Sequence, residues 1–591
     1  MVLKGIKMQK NKHSVIVFIT FTLLILLQCI VFHYSCFRYI AFSSLWHAPT
    51  EFIAFYASKL LPAVFISSFI FLTKHYWWTI IISVLIDLWM IANIIYYRAN
   101  DLFINADAIS MVDNMNGFWS SIWLYVNGEC LFILLTSVIV LVVAILVKGS
   151  NSRNWKLWGI SIGFAVLSHI INALCGCDYD MKHAPRPRDW PKYKGLFVAP
   201  RYAAAGYYAE WESWYIEGSS ILQYAIAEIV YYLDKSITGE PEICISKTDN
   251  DLISRLTTVS NDTPIVPKSN LLLILVESLE SWPIGLSDAN HKSIAQNLEC
   301  LINGECLYCS KIKSQVLQGT SGDGQMIINT GLLPIHPGAA CVKYGTNIFP
   351  CFAHLFNNSG VLYPNRAWNQ TVISESYGYN FSYKPKPSTG KDEVVFDMLK
   401  SCLDTVSVPY CVQAITISMH GPFDKVGSFD LYFGEDFDAN LAKYLNCLHY
   451  TDSCIGDFLQ KIESDSLLAN TTIVITGDHT VFKSTMLREF QSFAEKYNYP
   501  IPKDESYCPL IIYSPTIKER TVIDDLCYQM DIFPTILHCI GADDYYWKGF
   551  GVNLLDSVAR NNRKITEEEA YSLSDKMIRS DWFRHNTKLA Q

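Results

Sequence analysis

Four short segments of the chain carry side chains that can take part in chemistry, and each comes where an apolar run gives way to a loop or a turn. Glu277 ends the run LLLILVES, and His420 lies in ITISMHGPFD. Asp478 and His479 directly follow TTIVITG, and Thr320 lies in the glycine-rich stretch GTSGDGQ. Carboxylates and imidazoles are common ligands of divalent cations, and a cation can activate a hydroxyl for attack on phosphorus. These residue types therefore predict a metal-dependent phosphotransferase.

The combination of Asp478-His479 with Glu277 is the main sign of a metal site. A DH dipeptide after a strand is more often a turn or a cap, so on its own it is a weak signal. The dipeptide becomes stronger evidence for a metal site because Glu277 takes the same position at the end of another predicted strand. Glu280 competes for this role, but it comes after the strand should end, so Glu277 is the predicted ligand.

The stretch GTSGDGQMIINTGLLP predicts a flexible turn that opens a helix. A helix N-terminus presents unpaired N–H groups and a positive dipole end, which suits a phosphate. Thr320 is the predicted nucleophile there, and Ser321 is its rival. Taken alone, either residue would be a simple N-cap, but the predicted metal ligands favour a catalytic hydroxyl. His420 is predicted to bind the phosphate or to protonate a leaving oxygen.

Short apolar runs that alternate with helical patterns predict an α/β domain after about residue 268. The predicted strands are 271–277, 414–418, 472–476 and 510–514, and a helix is predicted over 436–461. Such alternation is typical of a mostly parallel sheet covered on both faces, with ligands at the carboxyl ends of its strands. Since Glu277, His420 and Asp478 come at or just beyond such ends, we expect them to share one edge of the sheet.

The N-terminal third is strongly apolar. Five stretches approach the ~20 residues needed to cross a hydrocarbon core of about 30 Å. They are 14–33, 52–73, 77–97, 129–147 and 157–175. No small-residue cleavage site follows the first stretch, so it is predicted to be an uncleaved anchor. Basic residues before the first span and in alternate loops predict a cytoplasmic N-terminus, and an odd number of spans then places the chain after about residue 176 outside.

Three domains follow from this pattern. Residues 1–176 are predicted to form a five-span membrane domain, 177–260 a connector with an amphipathic, aromatic-rich helix, and 261–591 an extracytoplasmic catalytic domain. Aromatic side chains gather at membrane interfaces because their rings are apolar and their tips polar. Two interpretations of the connector helix stay open: it lies along the bilayer and guides a lipid into the site, or it packs on the catalytic domain.

Composition and charge argue against some classes of function. With 591 residues, 50% of them hydrophobic, the chain is too apolar and too long for one soluble domain. A net charge of −9 and the lack of basic runs in the predicted exported part argue against a nucleic-acid partner. The chain has 18 cysteines, and exported cysteines usually form disulfides. Cys341–Cys351 and Cys402–Cys411 are close enough for small loops, and a disulfide role is favoured over a metal role for Cys306-x-x-Cys309.

Eight segments together resemble a known family. They are VES (276–278), GTSGD (319–323), AWNQ (367–370), SMHGPFD (418–424), YTDSCIGDF (450–458), ITGDHT (475–480), PLIIYSP (509–515) and QMDIFPTIL (529–537). These segments resemble the alkaline phosphatase superfamily and, within it, the lipoteichoic acid synthase group of phosphoglycerol transferases. The resemblance implies a multi-pass protein of the bacterial cytoplasmic membrane, with an α/β sulfatase-like domain on the extracytoplasmic side.

By this resemblance, Glu277, Thr320, Asp478 and His479 would hold one divalent cation, which is Mn²⁺ in the synthase-like members, with Zn²⁺ or Mg²⁺ as alternatives. Thr320 would be the nucleophile that carries the phosphoglycerol group. His420 would line the substrate pocket.

The headgroup segment departs from the family pattern. Trp368 matches an aromatic residue that packs near the headgroup in the family motif FWNR, which here reads AWNQ. Gln370 therefore stands where an arginine would contact the phosphoglycerol. Arg366, two residues before Trp368, is predicted to supply the missing charge.

The sequence thus predicts transfer of phosphoglycerol from a phospholipid donor to a glycan or lipid acceptor. Sulfatase activity is disfavoured because Thr320-Ser321-Gly322-Asp323 lacks the Cys or Ser followed by x-Pro-x-Arg that sulfatases need. Phosphoethanolamine transfer to lipid A or a glycan is an alternative, since those transferases resemble this chain in their spans, threonine nucleophile and cysteine-rich exported domain. A second alternative is a non-catalytic membrane scaffold or lipid sensor, but the presence of all four ligand-type residues argues against it.

Overall fold

The computed structural model describes residues 2–38, 49–73, 77–105, 107–108, 119–146, 153–167, 212–213, 216, 220–238, 243–258, 265–364, 367–383, 390–424, 426, 430–462 and 469–586. The chain divides into two compact units. The first comprises Met1–Ala106, Tyr125–Ala204 and Tyr208–Glu240, and the second comprises Asp107–Leu124, Ala205–Tyr207 and Pro241–Gln591.

Apolar helices form the first unit. They are α1 (Val2–Phe37), α2 (Pro49–Ser68), α3 (Trp77–Asn100), α4 (Gly128–Leu146), α5 (Trp155–Leu167) and α6 (Ile221–Thr238). Each of the five predicted spans overlaps one of the first five helices, although residues 168–175 of the fifth span lie outside the described residues. Within the described part of the chain, only His13–Phe37 and Trp77–Asn100 are long and apolar enough to cross a membrane. The apolar parts of the other three, Tyr56–Phe71, Gly128–Val143 and Trp155–Leu167, are shorter, so the described residues support a membrane anchor but do not confirm five spans.

The connector helix belongs to the helical unit. Most of 177–219 lies outside the described residues, but α6 covers the second half of the aromatic-rich stretch. Its residues Ile221, Leu222 and Tyr224 are buried in the core formed with α1, α3 and α4. This helix therefore packs on the apolar helices of its own unit.

The second unit is an α/β domain. Its strands are β1 (Asn270–Val276), β2 (Leu307–Lys313), β3 (Asn358–Leu362), β4 (Phe381–Tyr383), β5 (Tyr410–Ile415), β6 (Thr471–Gly477), β7 (Cys508–Tyr513), β8 (Thr521–Ile523) and β9 (Cys527–Tyr528). Its helices are α7 (Lys247–Leu256), α8 (Gln296–Ile302), α9 (Thr320–Thr330), α10 (Ala340–Lys343), α11 (Gln370–Ser376), α12 (Asp392–Leu403), α13 (Ala439–Ile462), α14 (Ser484–Glu489), α15 (Gln491–Tyr497), α16 (Ile532–Cys539), α17 (Ser557–Asn561), α18 (Glu567–Arg579) and α19 (Trp582–Asn586).

The nine strands form one mixed sheet in the order β4-β3-β5-β1-β6-β7-β2-β8, with β9 also paired to β2. Among the strands that the structure describes, only the pairs β6–β7 and β2–β7 are antiparallel, so the predicted mostly parallel α/β sheet is confirmed. Strand β1 lies at the centre between β5 and β6, and all seven of its residues are buried. A strand buried on both faces must be apolar throughout, which explains the continuous run NLLLILV.

Strand β5 ends at Ile415, before the end of the predicted strand 414–418. Asp392, the first residue of α12, accepts the backbone N–H groups of Ile417 and Ser418 on Oδ1, at 2.7 and 3.0 Å. Because this carboxylate captures the donors that would continue the ladder, the chain leaves the sheet here and turns across its edge.

Candidate active site

Glu277 and Asp478 lie side by side because their strands run in parallel and in register. Val276 of β1 pairs with Gly477 of β6, so the next residue of each strand projects from the same edge. With His479 they form a cluster in which one ligand atom from each residue lies within 4.8 Å of the others. All three side chains are buried. The structure thus brings together three of the four predicted metal ligands.

The orientation of these groups suits a cation. His479 Nδ1 lies 3.0 Å from the carbonyl oxygen of Thr480, which can only accept, so Nδ1 carries a proton, and Nε2 lies 3.4 Å from Glu277 Oε1. Nε2 is therefore the ring nitrogen that would bind a cation once its own proton is displaced. Asp478 Oδ1 accepts the N–H groups of Ser278 and His479, each at 2.8 Å. Asp478 Oδ2 is buried without a hydrogen-bond partner among the described residues. Such outer contacts orient metal ligands, so this donor set fits a divalent cation.

The charges of the cluster shift the pKa of each member. Burial alone would raise the pKa of Glu277, but a hydrogen bond from His479 and the positive charges of His420 and His479 outweigh it and lower that pKa. Burial and the charge of Glu277 raise the pKa of Asp478. Burial alone would lower the pKa of His479, but the charges of Asp478 and Glu277 raise it to about 9. Binding of a cation would therefore displace protons from Asp478 and His479.

The hydroxyl that meets this cluster is that of Ser321. Its Oγ lies 3.2 Å from Glu277 Oε2 and 3.1 Å from His479 Nε2. Thr320, the predicted nucleophile, precedes it as the first residue of α9, with a φ of 39°. These contacts make Ser321, the rival hydroxyl, a candidate nucleophile beside Thr320.

The first turn of α9 is held close to the cluster by Asp323. Its Oδ2 accepts the N–H groups of Leu317 and Gly319, at 3.0 and 2.9 Å. Burial raises the pKa of Asp323 to about 7, against the effect of these two hydrogen bonds. A Cβ on Gly319 would overlap the Asp323 carboxylate, and one on Gly324 would overlap the carbonyl oxygen of Asp478. Gly319 thus leaves room for the Asp323 carboxylate, and Gly324 allows α9 to approach the residue that follows β6.

Glu280, the predicted competitor of Glu277, has a different role. It is fully buried, and its Oε1 accepts the N–H groups of Val481 and Phe482 at 2.9 and 3.1 Å and the hydroxyl of Ser506 at 2.8 Å. Its Oε2 accepts Nε1–H of Trp282 at 2.7 Å. Glu280 therefore links the loop that follows His479 to the loop that follows β1 through hydrogen bonds. Its carboxylate is not part of the cluster of Glu277, Asp478 and His479.

His420 lies in the turn after β5, at the same sheet edge. Its charge contributes to the lowered pKa of Glu277, so the ring lies within electrostatic reach of the cluster. Nδ1 of His420 donates to the carbonyl oxygen of Gly421 at 2.7 Å, which fixes the orientation of the ring. The predicted position of His420 at this edge agrees with the structure, and its role in binding substrate stays a prediction.

The predicted headgroup segment adjoins α9. Trp368 is half-buried and packs against Gly322, since a Cβ there would lie 3.3 Å from Trp368 Cβ and Cδ2. Gln370 is buried and exchanges hydrogen bonds with Gln325 of α9, at 2.8 and 3.3 Å between the amide groups. The prediction for Arg366 lies outside the described residues. Gln370 therefore contacts another neutral side chain beside the site.

The predicted disulfides Cys341–Cys351 and Cys402–Cys411 are not formed, because all four residues are free thiols. Cys351 Sγ contacts Asn329 Oδ1 at 3.7 Å, whereas Cys341 Sγ packs against Gly322. The two thiols of the first pair thus face different neighbours in the core. Cys306 and Cys309 are also free and buried.

Three residues that shape the site were not identified from the sequence. Ser278 donates its N–H to Asp478 Oδ1 and its hydroxyl to Glu277 Oε1, at 2.8 and 2.9 Å. Its place beside Glu277 in the VES segment was a usable signal. Asp392 and Gln325 act on segments far away in the chain, so no local pattern pointed to them.

Comparisons with known proteins agree with this architecture. The Sulfatase family model matches residues 343–542, which include His420, Asp478 and His479. The model of the lipoteichoic acid synthase N-terminal domain matches residues 3–188, which include α2 to α5. The two models therefore cover most of the apolar helices and a large part of the sheet.

Related proteins include two from Bacillus subtilis (strain 168). The lipoteichoic acid synthase-like YvgJ is 25% identical over 333 residues, which are 51% of this chain and 53% of that protein, so the match spans about half of its length. Lipoteichoic acid synthase 1 is 22% identical over 546 residues, which are 84% of this chain and 79% of that protein. The crystal structure of the lipoteichoic acid synthase LtaP from Listeria monocytogenes covers 58% of this chain and 98% of its own, with 20% identity and a TM-score of 0.47.

The synthase N-terminal model falls on the apolar helices, the Sulfatase model falls on the sheet that carries Asp478 and His479, and a synthase aligns over most of the chain. Two parts of this chain thus match family models, one of the lipoteichoic acid synthase N-terminal domain and one of the Sulfatase family, and the chain is similar to lipoteichoic acid synthases over most of its length.

Proposed function

We propose that this protein is a membrane-anchored, metal-dependent phosphotransferase. It moves a phosphorylated headgroup, phosphoglycerol in the first place, from a phospholipid to a glycan or lipid acceptor outside the cytoplasmic membrane. The observation that carries the proposal is the contact of the Ser321 hydroxyl, within 3.2 Å, with Glu277 and His479 of a buried cluster at the ends of two parallel strands. The synthases among its relatives support the same class of reaction.

Glu277, Asp478 and His479 would hold one divalent cation. Mn²⁺ is proposed first because of the resemblance to synthase-like proteins, and Zn²⁺ and Mg²⁺ are the alternatives. When bound, the cation would neutralise phosphoryl oxygens and lower the pKa of the attacking hydroxyl. The buried, unpartnered Oδ2 of Asp478 supports a cation here, since a buried carboxylate oxygen without a partner is otherwise costly.

Ser321 is proposed as the nucleophile in place of Thr320. In the first step a bond forms between Ser321 Oγ and phosphorus while the bond between phosphorus and the diacylglycerol oxygen breaks. Glu277 Oε2, at 3.2 Å, is the nearest carboxylate acceptor for the Ser321 proton. In the second step a hydroxyl of the acceptor attacks phosphorus and gives its proton to the now neutral His420, while the bond between phosphorus and Ser321 Oγ breaks and Glu277 returns the proton to Ser321.

His420 is proposed to protonate the oxygen of the leaving group. Its Nδ1 is committed to the Gly421 carbonyl oxygen, so Nε2 is the nitrogen at which the ring gains or loses a proton. A protonated His420 can bind the phosphate and give the diacylglycerol oxygen the proton it needs to leave. Protons then balance across the two steps, because one is lost from each attacking hydroxyl and one is gained by each leaving oxygen.

Phosphoethanolamine is the second candidate headgroup, and one observation favours testing it. Gln370 meets Gln325 as a neutral amide pair, where the synthase-like pattern has an arginine that would pair with an anionic headgroup. A neutral pair supplies no charge for phosphoglycerol. Trp368, beside the first turn of α9, is proposed to pack against either headgroup, and Arg366 is proposed to supply charge.

The deciding experiment is incubation of the full chain in vesicles of phosphatidylglycerol and phosphatidylethanolamine with each of the three cations in turn. Mass spectrometry of the peptide that contains Ser321 should show the added headgroup, and diacylglycerol should be released. The Ser321→Ala protein should show neither. If no cation yields an adduct or diacylglycerol, the phosphotransferase proposal is wrong and the scaffold interpretation gains support.

The extracytoplasmic placement of the second unit is also a proposal, supported by the pattern of basic residues around the apolar helices. The test uses a reporter enzyme that works only outside the cytoplasm. Fused after Gln591, this reporter should show activity. A fusion that is active only in the cytoplasm would contradict the proposed orientation.

A further inference from the structure

The chain segment between α3 and α4 belongs to the second unit, although the helices on either side of it belong to the first. At its start, Asp107 forms an ion pair of 2.7 Å with Lys343, the last residue of α10. At its end, Trp119–Leu124 forms a short 3₁₀ helix. Asp107–Leu124 therefore belongs to the same compact unit as the α/β domain, far away in the sequence.

The end of this segment touches the turn that carries His420. The hydroxyl of Ser121 donates to the carbonyl oxygen of Gly421 at 2.6 Å. Leu124 packs against the same residue, since a Cβ on Gly421 would lie 3.5 Å from Leu124 Cδ2. Ser121 and Leu124 are both buried at this contact.

The carbonyl oxygen of Gly421 is shared. It accepts Nδ1–H of His420 at 2.7 Å as well as the Ser121 hydroxyl at 2.6 Å. The same carbonyl therefore links the orientation of the His420 ring to a residue more than 290 positions earlier in the chain. A hydrogen bond of this kind holds a carbonyl in one direction and so limits how the turn can move.

We propose that Ser121 is a positioning residue for His420, and that the segment between α3 and α4 completes the candidate active site. This inference rests on the proposed role of His420 in binding the donor phosphate.

Ser121→Ala in the full chain tests this inference. Loss of one buried hydrogen bond should raise the apparent KM for phosphatidylglycerol in vesicles about threefold to tenfold, while the affinity for Mn²⁺ stays at the wild-type value. Ser121→Thr keeps a hydroxyl and should restore the wild-type KM. Ser401→Ala is the matched control, because Ser401 also donates to a backbone carbonyl, that of Asp397 at 3.0 Å, but on the exposed face of α12.

Hydrogen exchange supplies a readout that does not depend on turnover. In Ser121→Ala and in Leu124→Ala, the amides of the peptide 418–424 should exchange faster than in wild type and in Ser401→Ala. Should both the KM and this exchange match those of Ser401→Ala, Ser121 does not position His420. A wild-type protein that releases no diacylglycerol would refute the proposed function, and the exchange measurement would then decide the contact by itself.

Discussion

Ser321 Oγ lies 3.1 Å from Nε2 of His479. Nδ1 of the same ring is hydrogen-bonded to the carbonyl oxygen of Thr480, so Nε2 is the ring nitrogen that faces the cluster. The contact puts a hydroxyl next to the groups that would hold a cation, and it is the reason for proposing Ser321 as the nucleophile in place of its neighbour Thr320, the residue predicted from the sequence.

Ser321→Ala should reduce headgroup transfer by at least about a thousandfold, because the variant lacks the hydroxyl that attacks phosphorus. Thr320→Ala should retain most activity, since the hydroxyl in contact with Glu277 and His479 is that of Ser321. Diacylglycerol release and thermal unfolding of both variants would be measured together, with unfolding temperatures close to wild type. An inactive Thr320→Ala protein beside an active Ser321→Ala protein would restore the nucleophile predicted from the sequence.

Glu280→Gln should weaken Mn²⁺ binding even though Glu280 is not a ligand. A glutamine has one acceptor oxygen, whereas Glu280 accepts three donors on Oε1 and one on Oε2, so at least one buried donor is left without a partner. The expected loss of stability is about 1–3 kcal/mol. Urea unfolding and Mn²⁺ titration would measure the two effects.

The matched control for this change is Glu495→Gln, because Glu495 is exposed. It should alter neither the free energy of unfolding nor the affinity for Mn²⁺. Unchanged Mn²⁺ affinity in Glu280→Gln would mean that the loop after His479 keeps its position without this carboxylate.

Mn²⁺ affinity should fall as the pH is lowered. Burial and the charge of Glu277 raise the pKa of Asp478, and the two carboxylates raise the pKa of His479 to about 9. Groups with raised pKa keep their protons to higher pH, so a cation must displace protons throughout the neutral range and binds more weakly as the pH falls. Calorimetric titration in buffers of different ionisation enthalpy should detect this proton release. Equal affinity at pH 6 and pH 8, without released protons, would contradict the assignment of these ligands.

Gln370→Arg alone should destabilise the protein, because it buries a guanidinium against the neutral amide of Gln325. Removing the partner of a buried charge costs on the order of 3–5 kcal/mol. Gln370→Arg combined with Gln325→Glu should recover much of this loss by forming an ion pair. The donor preference of the double variant should shift toward phosphatidylglycerol if the arginine also reaches the headgroup.

A double-mutant cycle on unfolding free energies would measure the coupling between these two positions. Additive effects of the two changes would show that Gln325 and Gln370 do not form the observed amide pair in solution. An unchanged donor ratio in the double variant would show that this segment does not recognise the headgroup.

The sequence by itself determined four of the nine described strands (β1, β5, β6 and β7) and three of the candidate ligands. Continuous apolar runs are typical of strands buried on both faces, and β1, β6 and β7 follow the predicted runs closely. Parallel strands in register carry their next residues to one edge, so the meeting of Glu277 with Asp478 and His479 follows from local pattern and simple topology. The apolar stretches likewise located the helices of the first unit, although not their number of membrane crossings.

Contacts between distant segments were decided only by the tertiary structure. Which hydroxyl faces the cluster depends on the rotation of α9, and that rotation is set by its packing on Asp478 through Gly324. The thiols of Cys341 and Cys351, near in sequence, face different neighbours because core packing directs them apart. The contact of Ser121 with Gly421 joins segments that no local pattern relates. Periodicity and composition report the environment of a residue, whereas the partner of each side chain is set by how whole elements pack.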